Sequence, residues 1–346
     1  MIDFRYHLVS LVSVFIALAI GVVLGAGPLR DSIGDTLSSQ VDLLREDRIA
    51  LQGEVAGLTG DLAARDAAVQ ALAPAVVAGA LDGSSTVLLT LPGADEQLTE
   101  DLEDDVEDAG GTVTGVVAVT PAWTSPEGAD ARQQAVEALP ALALTPLAGR
   151  DLEPPAALAV VLAEAVTTSE VALAGTASAT GGPVLDALVA AGLVEVDGDP
   201  LLRATSVLVL APAEPPTAGS EDDAAGLAAV TSLLGALETA SGAVVLASPE
   251  GATSALSPLA ALRADPLEAD VSGVDTAASP AGALAVVLAL HEQLRGGAGQ
   301  YGTQPGVDGI LPPLPQRAGD GVPGDEGAGD GEGAGDGEGA GGEVGG

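Results

Sequence analysis

The first clear pattern is a continuous apolar run near the N-terminus. Residues 7–27, HLVSLVSVFIALAIGVVLGAG, carry no acidic or basic side chain after His7. About 20 apolar residues suffice to cross a bilayer core of about 30 Å, so this run predicts a transmembrane helix. A cleaved signal peptide is the alternative, but its apolar region usually spans only about 7 to 15 residues. We predict a retained anchor with residues 1–6 on the cytoplasmic side, because Arg5 and the terminal amine precede it.

A second pattern steps by three and four residues along the next segment. Its apolar positions are Val41, Leu44, Leu51, Val55, Leu58, Leu62, Val69, Leu72 and Val76, and the two missing steps fall on Arg48 and Arg65. Such a sustained heptad predicts a coiled coil, which we assign to residues 31–76. Pro74 is expected to end or kink the regular helix. A homo-oligomeric stalk is favoured, and a long helix that folds back onto its own domain is the alternative.

The pattern then changes to short β-branched runs separated by Ala/Leu-rich stretches. The predicted strands are Thr86–Leu91, Thr112–Val119, Val171–Ala174, Ser206–Ala211, Ala243–Ala247 and Val271–Val274. Helices are predicted between them, for example over residues 94–109 and 182–191. Continuous apolar strands that alternate with helices predict a mostly parallel, doubly wound α/β sheet, here over residues 84–300.

The C-terminal region has no apolar pattern at all. After Pro312 the chain is rich in Gly and acidic residues and repeats the hexad GAGDGE. Such a segment cannot bury enough apolar area to offset its chain entropy, so residues 313–346 are predicted to be disordered.

Composition excludes several classes of function. The chain has 346 residues, no Cys, and 50 acidic residues against 11 basic ones, which gives a formal net charge of −39. This charge repels nucleic-acid phosphates, so no nucleic-acid partner is expected. The absence of Cys excludes disulfides, thiolate metal sites and Cys nucleophiles.

The strand-end loops are the places where an α/β domain would hold a ligand. They are Leu91–Gly93, Ala174–Gly182 and Ala247–Gly251, and none contains a phosphate-binding motif. Ordinary turn chemistry explains their glycines. We therefore predict no cofactor-binding residue.

Catalysis has little support in the sequence. The only imidazoles are His7, at the membrane boundary, and His291, near the end of a predicted helix where the helix dipole favours a cation. The acidic run Glu103–Asp108 is most simply a solvated helix face. We predict a protein that is not an enzyme and has no catalytic residue.

The metal ligands remain unknown. Copper sites use Cys, Met and His, and this chain has no Cys, one Met and two distant His residues. A carboxylate-based metal site in an enzyme is a third possibility. It would require acidic side chains to converge at the strand ends around Asp95, Glu250 and Asp275.

Two segments at opposite ends of the chain resemble the mycobacterial copper transporter family, the MctB family of copper-transport outer membrane proteins. They are the N-terminus, MIDFRYHLVSLVSVFIALAIGVVLGAGPL, and residues 269–306, ADVSGVDTAASPAGALAVVLALHEQLRGGAGQYGTQPG. The resemblance implies copper homeostasis, with export of the metal across the cell envelope. The second segment could also be purely structural, with the ring of Tyr301 anchoring the last turn of a buried helix.

These observations predict a membrane-anchored envelope protein of copper transport with an extracytoplasmic α/β domain. The expected partners are the lipid bilayer and further copies of the chain through the coiled coil. Copper ions are possible partners, although no ligand residues support them. The alternative is a non-catalytic envelope scaffold whose α/β domain binds a partner protein or a peptidoglycan-related ligand.

Overall fold

The computed structural model describes residues 4–26, 28–139, 145–198, 200–213, 221–250 and 256–315. The helices within these ranges are α1 (Phe4–Ala26), α2 (Pro28–Val77), α3 (Glu96–Asp108), α4 (Pro121–Thr124), α5 (Ala129–Ala138), α6 (Pro154–Val166), α7 (Gly181–Ala190), α8 (Glu221–Ser241), α9 (Pro258–Ala264) and α10 (Pro280–Gln293). The strands are β1 (Ser85–Thr90), β2 (Thr112–Val119), β3 (Val194–Asp197), β4 (Ser206–Leu210), β5 (Val244–Ala247), β6 (Ser272–Val274) and β7 (Gln300–Tyr301).

The chain divides into two units. Residues up to Pro74, which include α1 and nearly all of α2, belong to the first. Ala75–Ala278 and the chain from Gly282 onward form the second, which contains the sheet. Most of the predicted acidic tail, from residue 316 onward, lies outside the described residues.

The α/β unit is built on a seven-stranded sheet with the order β3-β2-β1-β4-β5-β6-β7. Neighbouring strands are parallel except for β3, which runs antiparallel to β2. The prediction of a mostly parallel α/β sheet behind an apolar N-terminal helix and a long helix is confirmed.

Both faces of the sheet are covered. Val87, Leu89 and Val209 belong to one apolar cluster with α6, α7 and α8, while the alternate residues Leu88 and Leu208 are also buried, outside that cluster. Strands buried on both faces read as continuous apolar runs, which is why the sequence identified them.

One predicted strand is wrong. Val171–Ala174 does not join the sheet; residues Val171–Leu173 form a 3-10 turn, and the side chain of Val171 is 75% exposed. Its backbone N–H groups are satisfied locally, because the N–H of Leu173 donates to the carbonyl of Glu170 and that of Ala174 donates to Val171. A four-residue apolar run is too short for its pattern to distinguish a strand from a turn.

Two strands have no counterpart among the predictions. β3 is the short antiparallel edge strand, and β7 contains only Gln300 and Tyr301. β7 is shorter than the runs on which a strand is recognised from sequence, and β3 is at their lower limit with two acidic residues among its four. The predicted end of the long helix is close to the observed one, because α2 continues past Pro74 only to Val77.

Candidate functional site

The C-terminal segment that resembles the copper transporter family is organised around Asp275, which follows β6. Its carboxylate is fully buried and pairs with Arg263 of α9 at 3.2 Å. The same carboxylate accepts hydrogen bonds from the backbone N–H of Thr303 at 2.7 Å and of Gln304 at 3.3 Å. A buried charge must be paired and hydrogen-bonded to be tolerated, and Asp275 meets both conditions.

Two glycines make this arrangement possible. Gly302 has φ +131°, and a Cβ at this position would collide with the carboxylate of Asp275. Gly282 starts the contact of α10 with the preceding turn, and a Cβ there would collide with the carbonyl of Thr276. Thr276 itself has φ +64°, the one non-glycine residue at positive φ in the described part of the chain. Close packing at both positions therefore requires glycine.

Tyr301 connects β7 to α10. Its ring is 5% exposed, and its hydroxyl donates to Glu292 Oε2 at 2.6 Å. Burial, together with this hydrogen bond, raises the pKa of Tyr301. The hydroxyl of Tyr301 therefore stays protonated, and the side chain holds the last turn of α10, in agreement with the structural interpretation of this residue.

The carboxylates considered for a metal site do not converge. Asp95 accepts from the N–H of Leu98 at 2.9 Å and so caps α3, whereas Asp275 is committed to Arg263. Glu250 lies exposed beyond β5. Among the described residues, no group of three or more His, Asp or Glu side chains could hold a metal ion. The carboxylate-site hypothesis therefore finds no support in the described part of the chain.

The two histidines lie in different units of the chain. His7 is exposed on α1, outside the α/β unit. His291 lies 2.6 Å from the carbonyl of Ala80 through its Nδ1 atom. Because a carbonyl only accepts, Nδ1 carries the proton, and the imidazole serves as a structural contact between α10 and the loop before β1.

Within the acidic run Glu103–Asp108 of α3, three acidic side chains are exposed, whereas Glu103 and Asp105 are half-buried and Val106 is buried. Leu98, Leu102 and Val106 occupy the inner side of this helix, as its amphipathic pattern requires. Burial, followed by repulsion from Asp108, raises the pKa of Asp105, and burial, followed by repulsion from Glu107, raises that of Glu103. The run is therefore an electrostatic cost to the fold, with no basic partner in the described contacts.

A cleft of the α/β unit lies where the strand order reverses. β1 is followed in the sheet by β2 on one side and by β4 on the other, and ligands in such sheets bind at the carboxyl ends of these strands. The cleft has a volume of about 350 Å³. Leu91 and Pro92 line it from the end of β1, and Pro212 lines it from the end of β4. The predicted loop Leu91–Gly93 thus reaches the cleft.

The polar part of this cleft was not foreseen. Thr124 ends α4 and Ser125 follows it, and Asp222 and Asp223 lie in the first turn of α8. Arg132 fixes the end of α4 by donating to the carbonyls of Ala122 at 2.6 Å and Ser125 at 2.8 Å. No sequence motif marks these residues, because only the fold brings α4 and α8 to the same sheet edge. The other two predicted loops do not line the cleft within the described residues.

The N-terminal helix has a different kind of surface. Two helices in the described part of the chain are long and apolar enough to span a membrane, α1 over Phe4–Gly25 and α8 over Asp222–Ser241. Leu233, Leu234 and Leu237 of α8 are buried in the core of the α/β unit. In α1, by contrast, the large apolar side chains are exposed, as for Phe15 at 61% and Leu24 at 65%. This surface is typical of contact with lipid.

Comparison with known proteins covers the chain from its N-terminus to residue 312. A family profile described as "Copper transport outer membrane protein, MctB" matches residues 1–312. The chain belongs to the MctB family. "Copper transporter MctB" of Mycobacterium tuberculosis (strain ATCC 25618 / H37Rv) is 29% identical over 322 residues, which cover 89% of this chain and 98% of that protein. "Copper transporter MctB" of Mycobacterium leprae (strain TN) is 30% identical over 324 residues, covering 90% of this chain and 100% of that protein.

The family assignment confirms the predicted resemblance and extends it through the middle of the chain. It also confirms the prediction of a membrane protein of copper transport at the level of the MctB family. The described residues add that residues 269–306 form a packed structural element built on Asp275 and Tyr301.

Proposed function

We propose that this MctB family member is a bitopic envelope protein that acts in copper transport as a non-catalytic component. Residues 7–27 form the anchor, with residues 1–6 in the cytoplasm. Residues 31–76 form a stalk, residues 84–300 an extracytoplasmic domain, and residues 313–346 an acidic tail that keeps the domain soluble.

The observation that carries this proposal is the exposed apolar surface of α1 in a chain of the copper transport family. Each large apolar side chain of α1 that is left in water forgoes about 1.5–3 kcal/mol of burial, and only a bilayer or other apolar partners can recover it. Arg5 lies on the N-terminal side of the span, and Arg30 beyond it is adjacent to Asp31. This charge distribution favours the N-terminus inside.

The copper ligands are supplied by partners in this proposal. Copper prefers Cys, Met and His, and the described residues bring no such set together. A single α1 whose polar side chains after His7 are Ser10 and Ser13 offers no ion pathway by itself. Ser13 moreover donates to the carbonyl of Val9 at 2.8 Å, within its own helix.

The decisive experiment measures cell-associated copper after a copper challenge. Three strains are compared: the deletion strain, the strain that carries the gene again, and a strain in which residues 7–27 are replaced by an unrelated transmembrane helix. Cell-associated copper should rise on deletion. It should fall again both with the natural gene and with the gene whose anchor is replaced, because the anchor only tethers the domain. If the replaced anchor fails although the protein is inserted at a normal level, α1 itself takes part in transport. If deletion leaves copper unchanged, the copper function is wrong for this chain.

The cleft at the ends of β1 and β4 favours a second candidate, an envelope protein whose α/β domain binds a partner. Leu227→Trp would fill the cleft, because Leu227 lines it, whereas Ala228→Trp on the same helix points to exposed surface and is the matched control. Partner binding predicts that Leu227→Trp fails to complement the deletion while Ala228→Trp complements it, with the same melting temperature for both. Equal complementation by both variants would contradict a role for the cleft.

A further inference from the structure

The long helix α2 has an apolar seam that its own chain leaves open. Within the described residues, the apolar seam side chains from Leu44 to Leu62 are 57% to 67% exposed and Leu72 is 63% exposed, whereas Val69 and Val76 are half-buried. The groove along Leu44, Arg48, Leu51 and Val55 is correspondingly lined by apolar atoms. A helix of this length is stable in water only when such a seam is packed against a partner.

The kind of residue at each seam position indicates how many chains pack together. When Val41 is taken as position a of the heptad, the a positions are Val41, Arg48, Val55, Leu62, Val69 and Val76, and the d positions are Leu44, Leu51, Leu58, Arg65 and Leu72. Most a positions are thus valine and most d positions are leucine. A β-branched residue at a with leucine at d favours two parallel strands over three or four.

Each of the two arginines in the seam has a neighbouring aspartate in the sequence, at a position that flanks the seam. Asp47 occupies position g directly before Arg48 at a, and Asp66 occupies position e directly after Arg65 at d. In a parallel, in-register pair, the hole that receives an a side chain includes the preceding g residue of the partner, and the hole that receives a d side chain includes the following e residue. Each arginine would therefore meet an aspartate of the other chain.

The residues that weaken the helix lie away from this seam. Gly53, Gly60 and Pro74 occupy position f, and Gly57 occupies position c, all on the outer side. A Cβ at any of these three glycines would meet no atom within 4 Å in the single chain. They lower helix propensity without interrupting the packed face, so the seam is continuous from Val41 to Val76.

We infer that residues 41–76 form a parallel, in-register, two-stranded coiled coil with a second copy of this chain. The inference deepens the homo-oligomeric stalk of the proposed function and rests on it. Two chains anchored by α1 in one membrane with the same orientation enter the stalk from the same end, which also requires parallel helices. Arg65 fixes the register, because a shift by one heptad places it against Thr59 or Ala73 of the partner instead of Asp66. Arg48 favours the same register, although a shift in one direction would place it against Glu54.

The natural absence of Cys makes disulfide trapping a clean test. Leu44→Cys and Leu72→Cys, both at d, are made separately in the full-length protein and oxidised with diamide in native membranes. Glu46→Cys, at the outer f position of the same heptad, is the matched control. The mass of the full-length protein in detergent gives the number of chains.

The parallel dimer predicts a two-chain mass and efficient self-cross-linking at both Leu44→Cys and Leu72→Cys. Glu46→Cys should cross-link at least about fivefold less, because its Cα atoms lie beyond the roughly 7 Å that a disulfide can span. Cross-links that form only when Leu44→Cys and Leu72→Cys chains are mixed would show antiparallel helices. A mass of three or more chains, or such mixed cross-links, overturns this inference alone. A monomer overturns the homo-oligomeric stalk as well and leaves the copper measurement to decide the transport function.

Charge reversal tests the register. Asp47→Arg places a like charge against Arg48 of the partner and should raise the dissociation constant at least about tenfold. The double variant Asp47→Arg/Arg48→Asp should restore most of the affinity, while Glu46→Arg at the outer face should change it by less than about twofold. An equal effect of Asp47→Arg and Glu46→Arg would overturn the assignment of Asp47 to the interface.

Discussion

The two units of this chain are rich in the same apolar residues, Ala, Val and Leu, but the α/β unit buries them whereas the first unit leaves them exposed. In the α/β unit, Val87 and Leu89 of β1 are 0% exposed, because helices cover both faces of the sheet. In the first unit, Phe15 of α1 is 61% exposed and Leu44 of α2 is 67% exposed. The α/β unit therefore buries its apolar pattern within one chain, whereas the first unit leaves its apolar side chains exposed.

This contrast teaches how to read an apolar pattern. A sheet brings strands distant in sequence together, so each strand finds partners along the same chain. A single helix has one apolar stripe and no neighbouring strands of its own chain to cover it. Its apolar side chains can therefore be buried only against an external partner. Each unit should then respond to its own substitutions without affecting the other, and the following variants test that independence from the largest expected effect to the smallest.

The largest effect is expected at the buried carboxylate of the α/β unit. Asp275→Ala leaves the charge of Arg263 unpaired and the N–H groups of Thr303 and Gln304 without their acceptor. Breaking a buried pair should lower the free energy of unfolding by about 3–5 kcal/mol, which corresponds to a fall in melting temperature of roughly 10 °C. Calorimetry of the full-length protein checks it, with the exposed Asp270→Ala as control. Self-association that is unchanged despite this loss of stability would support independent units.

The second variant removes the ring that anchors α10. Tyr301→Ala deletes a buried aromatic side chain and should cost about 3 kcal/mol, whereas Tyr301→Phe loses only the hydrogen bond to Glu292 and should cost about 1–2 kcal/mol. Both should lower the melting temperature and leave ligand affinity unchanged. A melting temperature of Tyr301→Ala equal to that of the natural chain would refute the structural role of the signature.

The third variant acts on the stalk alone. Gly57→Ala at the outer c position should stabilise the helix by about 1 kcal/mol, because alanine has the higher helix propensity and meets no atom there. The expected result is tighter self-association with the same melting temperature for the α/β unit. If that melting temperature rises too, the two units are coupled and their contrast is weaker than described.

The smallest effect concerns the acidic face of α3. Burial, and then repulsion from Asp108, raises the pKa of Asp105 in the folded state above its unfolded value. The charged form therefore costs stability at neutral pH, and this cost disappears as the pH falls through the folded pKa to below the unfolded value of about 3.9. Asp105→Asn should raise the melting temperature at pH 7 by about 1 °C and lose this advantage near pH 4. The exposed Asp151→Asn, which lies in a loop, is the control.

The site was harder to predict than the fold. The resemblance identified residues 269–306 as a signature, and Tyr301 was expected to anchor the helix, which its hydrogen bond to Glu292 shows. The pairing of Asp275 with Arg263 was not predicted, because nothing in the spacing of these residues indicates contact through α9 and β6. Thr124 and Asp222 of the cleft were missed for the same reason, since they lie far apart in sequence and meet only at the sheet edge.

The sequence by itself determined the elements whose signals are local and long. The apolar run of α1 and the heptads of α2 extend over many residues, and the strands β1, β2, β4, β5 and β6 follow from continuous apolar runs between helical stretches. Only the tertiary structure decided the order of the strands, the edge strands β3 and β7, and the 3-10 turn at Val171–Leu173. It also decided where Asp275 is buried. The physical reason is that short segments and single charged residues have no fixed state of their own, and the packing around them selects it.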